Sequence, residues 1–208
     1  MIPLESITVF FVASVALALA PGPDNIYVLT QSAIQGRAAG LFVTLGLCTG
    51  LLFHTAAVVL GVAALFAASA VAFNVLKYIG AAYLLYLAWQ AFRAGASDLL
   101  ENRDKAIPSH HLYARGVIMN ITNPKVAIFF LAFLPQFADP ARGSLSLQLV
   151  LFGAIFIVAA LLVFGMIAWF AGYLGERLGQ SRRAQIILNR IAGTVFAGLA
   201  LRLVTAQR

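Results

Sequence analysis

Two charges stand where the sequence is otherwise apolar. Asp24 follows Pro21-Gly22-Pro23 and precedes Asn25, and Lys125 follows Thr122-Asn123-Pro124. A buried carboxylate binds an ammonium, and a buried ammonium binds a carboxylate. Together they suit the two ends of a zwitterion, Asp24 taking an α-ammonium and Lys125 an α-carboxylate. A charge deep in a membrane is costly, so it marks a functional site by default. The plainer reading is that Asp24 and Lys125 neutralise each other. The two readings are compatible, because a salt bridge in one state can open to a zwitterion in another.

Each charge sits at a helix break. Proline removes a backbone donor and clashes with the preceding turn, so Pro21 and Pro23 must end the first helix. At the first position of a new helix, proline loses nothing, since that donor is unpaired in any case. Pro124 with Asn123 as cap fits this pattern, and Pro23 with Gly22 fits it more loosely. The new half-helices present free N–H groups and a dipole end of about half a unit charge. Such ends favour an anion such as a carboxylate. The substrate-binding candidates are therefore Gly22, Pro23, Asp24, Asn25, Asn120, Asn123, Pro124 and Lys125, with the three asparagines as caps or ligands.

The elements carrying these breaks read as membrane spans. The chain is 62% hydrophobic and 10% charged, whereas a soluble domain carries about 25% charged residues. No Asp, Glu, Lys or Arg occurs in 6–23, 38–76 or 143–175. A helix crossing the hydrocarbon layer needs about 20 apolar residues, and the two longer runs exceed that. The N-terminus has no basic n-region, its first charge being Glu5, so it reads as a retained helix rather than a signal peptide. The net charge of +7 lies in loops and does not imply nucleic-acid binding. A single cysteine, Cys48, allows neither an internal disulfide nor a paired-thiol redox carrier. No nucleophile and base fall at matching depth, so no catalytic residue, metal site or cofactor is expected.

Six spans are expected. The first runs from Pro3 to Ala20 and resumes over 24–35. The others cover 38–67, 70–93, 115–134 (broken at Asn123-Pro124 and stopped by Pro135), 145–174 and 184–205. Gly36-Arg37 reads as a short loop. Residues 94–113 read as a polar linker outside the membrane, carrying His110-His111. The first break follows many more apolar residues than the second, so the two breaks read as unequal in depth. Nine Lys and Arg fall on one side: Arg37, Arg93, Arg103, Lys105, Arg115, Arg177, Arg182, Arg183 and Arg190. Four fall on the other: Lys77, Arg142, Arg202 and Arg208. The richer side is cytoplasmic by the positive-inside rule, which puts both termini in the periplasm.

The two halves resemble each other when overlaid on the breaks. Gly22-Pro23-Asp24 falls on Asn123-Pro124-Lys125, and Leu76-Lys77-Tyr78-Ile79-Gly80-Ala81 on Leu188-Asn189-Arg190-Ile191-Ala192-Gly193. Three spans per repeat is an odd number, so the second repeat inserts upside down. The expected architecture is an all-α integral membrane protein of six transmembrane helices. They form two inverted three-helix repeats, 1–107 (with the linker) and 108–208, with helices 1 and 4 broken at proline. Transporters of this plan bind substrate at the repeat interface near the midplane. His54, midway along the second span, suits a proton carrier by its reference pKa; a hydrogen-bonded packing histidine is the preferred reading. Gly36/Gly40 and Gly46/Gly50 have the GxxxG spacing of close helix contacts, which serves a homodimer or a single bundle equally.

These residues also resemble a known family. Pro21-Gly22-Pro23-Asp24-Asn25, the Gly36-Arg37 turn, and Lys77-Tyr78-Ile79-Gly80-Ala81-Ala82-Tyr83-Leu84 resemble the LysE/RhtB amino-acid exporters. So does Asn120-Ile121-Thr122-Asn123-Pro124-Lys125 followed by a Phe-rich run to Leu134-Pro135-Gln136-Phe137. The resemblance covers essentially the whole chain. It implies efflux of amino acids or close derivatives across the bacterial inner membrane, coupled to the proton gradient. Asp24 beside the two prolines is similar to the homoserine/threonine/leucine-type branch. The implied partners are a small zwitterionic substrate, protons and lipid, with Asp24 and His54 as proton-coupling candidates. The alternative is an exporter of another small solute or of a metal ion within the same superfamily; a metal ion requires clustered Asp, Glu or His within the spans, where only Asp24, Lys125 and His54 are available.

Overall fold

A computed structural model describes residues 2–20, 22–68, 70–93, 107–171 and 182–205. Pro21, most of the polar linker, the end of the expected fifth span with its basic loop, and the last three residues lie outside the described residues. The elements are α1 (Leu4–Leu19), α2 (Pro23–Gln35), α3 (Arg37–Ala68), α4 (Ala70–Arg93), α5 (Ser109–Ile121), α6 (Pro124–Ile128), α7 (Leu145–Trp169) and α8 (Arg182–Thr205). Among the described residues there is no strand. Two stretches, Arg37–Gly61 of α3 and the whole of α7, are long and apolar enough to cross a membrane. The bent pairs α1/α2 and α5/α6 each add one more if counted as a single span, giving up to four.

Proline and glycine set the boundaries. The residue before a proline is pushed out of the helical region. Ala20, Gly22 and Asn123, each preceding a proline, have ψ of 124°, 177° and 108°. The chain bends by 61° between α1 and α2 and by 49° at the second break. Gly36 alone separates α2 from α3. Its φ of +87° lies in the left-handed region open to glycine, and its N–H closes α2 on Ser32 O at 3.0 Å. The expected Gly36-Arg37 loop is therefore a one-residue turn, with Arg37 already helical.

The fourth span departs from expectation at both ends. It begins at Ser109 rather than Arg115, with Pro108 as N-cap residue. His110-His111 are thus helical, because proline starts helices readily. α5 then has 13 residues against 16 in α1, so the breaks follow stretches of similar length and the expected mismatch in depth largely disappears. Beyond α6 the helix does not run on to Pro135. It loosens to a π-helix over Phe129–Phe133 and tightens to a 3₁₀ turn over Leu134–Phe137. Pro135 cannot donate to the turn before it, so the backbone there changes register.

α3 is the central element, packed chiefly on α5 and α7, while α1 packs on α7 and α4 on α8. Its glycines set the close approaches. A Cβ on Gly46 would fall 2.2 Å from Tyr113 O in α5, and one on Gly50 would fall 2.7 Å from Asn120 Cβ. Gly40 meets Ser32 and Ala168 in the same way. The pair Gly46/Gly50 and Gly40 are therefore used within the bundle, whereas a Cβ on Gly36 would meet nothing within 4 Å and that glycine serves the turn. Phe10, Phe129, Phe130, Phe133, Phe137, Phe152 and Phe156 stack with centroid spacings of 4.7–6.5 Å and fill the space between α1, α7 and the π-helix.

Candidate functional site

The two breaks meet, and each is sealed by a side chain from elsewhere. A helix end leaves its last carbonyls without partners, and inside a membrane these must be satisfied by protein. At the end of α1, Lys125 Nζ donates to Leu17 O at 3.2 Å and to Ala20 O at 3.0 Å. Asn25 Nδ2 donates to Ala18 O, another carbonyl of the same turn. At the end of α5, His54 Nε2 lies 3.0 Å from Asn120 O. A carbonyl only accepts, so the imidazole donates through Nε2–H. Asn123 Oδ1 accepts from Lys125 N at 3.0 Å and caps α6, as its sequence position indicated.

Asp24 opens the first turn of α2 and is 2% exposed; Lys125 is 9% exposed and Asn120 1%. The carboxylate and the ammonium form no salt bridge. Asp24 Oδ2 accepts from Asn120 Nδ2 at 3.3 Å, and Asp24 Oδ1 has no hydrogen-bond partner. The two opposite charges therefore lie near one another without a direct ion pair. Asn123 faces the same carboxylate without closing a hydrogen bond. Gly22 gives Lys125 its room, since a Cβ there would stand 3.2 Å from Nζ.

Asp24, Asn120 and Lys125 share the wall of a cavity of about 10 Å³ with Leu17, Ala18, Leu51, Val126, Phe156 and Phe164. That is roughly the space one water needs, far less than an amino acid. Its lining thus combines two charged side chains and an amide with apolar ones. The other sequence candidates sit around it. Pro23 and Pro124 are exposed on the outside of their breaks, and Asn25 is turned to α1. His54 stands behind Asn120 with its ring 5.6 Å from that of Phe130; it bonds Asn120 O, and the Asn120 side chain in turn bonds Asp24. Sequence reasoning missed the apolar lining, Leu51, Phe156 and Phe164 among it, because nothing separates a lining leucine from a packing one until the helices are assembled. Among the described residues no three of His, Cys, Asp and Glu come together.

The comparisons with known proteins agree with the sequence resemblance. The family model for LysE type translocators matches residues 15–207. A membrane protein of Vibrio cholerae without a described function is 33% identical over 95% of this chain and 96% of its own. The homoserine/homoserine lactone efflux protein of Salmonella typhi is 31% identical over 95% of each chain. The leucine efflux protein of Salmonella choleraesuis is 27% identical over 95% of this chain and 94% of its own. No solved structure gives a significant match. With nearly its whole length matched, the chain belongs to the LysE type translocator family.

Proposed function

We propose that the protein is a secondary active exporter of neutral amino acids or close derivatives across the bacterial inner membrane, driven by proton exchange. The observation that carries this reading is the meeting of the two breaks, which sets a buried carboxylate and a buried ammonium on one small cavity. Relatives named for homoserine and leucine efflux support the substrate class. The apolar residues of the lining, Leu51, Phe156 and Phe164 among them, suit an uncharged side chain. Asp24 is the proton-carrying group, because its carboxylate is the acid of the site. Lys125 and the start of α6 receive the α-carboxylate.

The fold belonging to this function is the six-span inverted repeat, with residues 1–107 and 108–208 as the two halves. Exchange of α1/α2 with α5/α6, α3 with α7 and α4 with α8 supports it. Under that exchange the packing of α3 on α5 becomes that of α7 on α1, and the pairs α3/α7 and α4/α8 map onto themselves. α4 and α8 have 24 residues each, about 36 Å at 1.5 Å per residue, enough to cross the hydrocarbon layer. The excess of Lys and Arg on one side supports an orientation with both termini in the periplasm.

The test is efflux of radiolabelled amino acids from proteoliposomes, screened over the twenty amino acids with and without a pH gradient. The expected result is gradient-stimulated efflux of one or more neutral amino acids, reduced to the level of empty liposomes in Asp24→Asn. Absence of efflux for every amino acid, or wild-type rates in Asp24→Asn, overturns the reading.

A further inference from the structure

We propose that the end of α1 is a subsite for a primary ammonium group, and that Lys125 fills it as a tethered occupant. The subsite consists of Leu17 O, Ala20 O and Asp24 Oδ1. The two carbonyls already hold an ammonium at 3.2 and 3.0 Å, that of Lys125 Nζ. The third oxygen, Asp24 Oδ1, is buried and unpaired. Leu17, Asp24 and Lys125 border the same cavity. Carbonyls at the end of an interrupted helix are common cation ligands in transporters. Here the cation is part of the chain: Lys125 Nζ donates to the two carbonyls and leaves Asp24 Oδ1 without a partner.

The proposal rests on reading the cavity as the substrate site, and it assigns that site a sequence of events. An incoming α-ammonium displaces Lys125 Nζ from Leu17 O and Ala20 O and takes up Asp24 Oδ1 as well. The released Lys125 side chain pairs with the substrate α-carboxylate. Neither step leaves an ammonium or a carboxylate unpaired. Without substrate Lys125 returns to α1 and seals the break. Lys125 is thus both a carboxylate ligand and a competitor for the amine, and removing it opens the amine subsite.

The test uses the full chain purified in detergent, with Lys125→Ala compared with wild type. The probe is n-propylammonium, which restores the atoms removed from Lys125. n-Propanol is the neutral isostere, and sodium chloride at equal ionic strength tests for a metal-ion site. Binding is read by thermal unfolding and calorimetry. The expected result is saturable binding of n-propylammonium to Lys125→Ala, at least tenfold weaker in wild type, and lost again in Asp24→Asn/Lys125→Ala. Equal response of wild type and Lys125→Ala overturns the proposal, as does equal binding of n-propanol, or binding of sodium without the amine. If Lys125→Ala does not yield folded protein, Lys125→Met with ammonium chloride supplies the same comparison. The assay needs no gradient and no transport. Amine binding without amino-acid efflux sinks the proposed function but leaves the subsite, and efflux without amine binding sinks the subsite alone.

Discussion

Gly46→Ala is the sharpest test of how α3 positions the site. A Cβ at residue 46 would stand 2.2 Å from Tyr113 O, 3.0 Å from Tyr113 C and 3.1 Å from Gly116 Cα. All three are backbone atoms of α5, so no rotamer change relieves the contact and α5 must move by about 1 Å. Overpacking of this kind costs roughly 1–3 kcal/mol, and backbone contacts place it at the upper end. Alanine returns up to about 1 kcal/mol through its better helix propensity. The net loss is about 2 kcal/mol, or ~4–8 °C in Tm for a chain of this size. The same movement carries away Asn120, whose bond to Asp24 is already 3.3 Å long. Losing a hydrogen bond to a charged group is worth about 1.5–3 kcal/mol, so efflux should fall about tenfold or more. Initial efflux rate and thermal unfolding are measured together. Gly61→Ala, in the same helix with nothing within 4 Å, is the control and should be neutral or slightly stabilising. Gly46→Ala with wild-type Tm and rate would refute the claim that α3 and α5 touch backbone to backbone.

The same geometry gives three more expected outcomes. His54→Gln keeps a donor near Asn120 O, so efflux should persist with its pH-gradient stimulation intact, whereas His54→Ala should lower the rate; abolished stimulation in His54→Gln would make His54 a proton carrier. Asn123→Ala removes the cap of α6 and should cost about 1 kcal/mol of stability, largely restored in Asn123→Ser, as read by thermal unfolding. Gln148 receives Asp139 N at 3.0 Å and donates to Asp139 O at 2.9 Å and Gly143 O at 3.4 Å, so Gln148→Ala should expose the 138–144 segment to limited proteolysis; unchanged cleavage would count against this bracing.

The helix breaks and the two charges were legible in the sequence because proline and buried charge act locally. Proline fixes its own φ and restricts its neighbour, so Asn123-Pro124 reads as a cap and a start without any tertiary information. The family was legible because its motifs are short runs of neighbouring residues, two of them on these breaks. Two features were not. The start of the fourth span at Ser109 was obscured by His110, His111 and Arg115, polar residues that suggest a linker but are exposed on the finished helix. The carbonyl partners of Lys125 were not foreseen, because charge pairing is visible in a sequence and a free backbone carbonyl is not. The carbonyls of Leu17 and Ala20 exist as ligands only because α1 stops there.

That difference bears on how the halves communicate. A salt bridge between Asp24 and Lys125 would join two side chains, each free to swing without moving a helix. The observed contact of Lys125 instead joins a side chain of one break to the backbone end of the other. Lys125, anchored in the first turn of α6, holds the last turn of α1, and Asn120, at the end of α5, holds Asp24 in the first turn of α2. The four half-helices are therefore tied crosswise, first break to second. Releasing Lys125 from Ala20 O frees the end of α1 itself, so occupancy at the cavity is felt as helix movement rather than as side-chain motion alone. Lengthening the tie should loosen this coupling. Lys125→Arg keeps the charge but places a planar, longer head where Gly22 leaves limited room, and guanidinium and ammonium are not interchangeable at such a site. It should retain substrate binding while slowing efflux. Binding and efflux that fall in equal proportion would show that Lys125 acts only as a ligand.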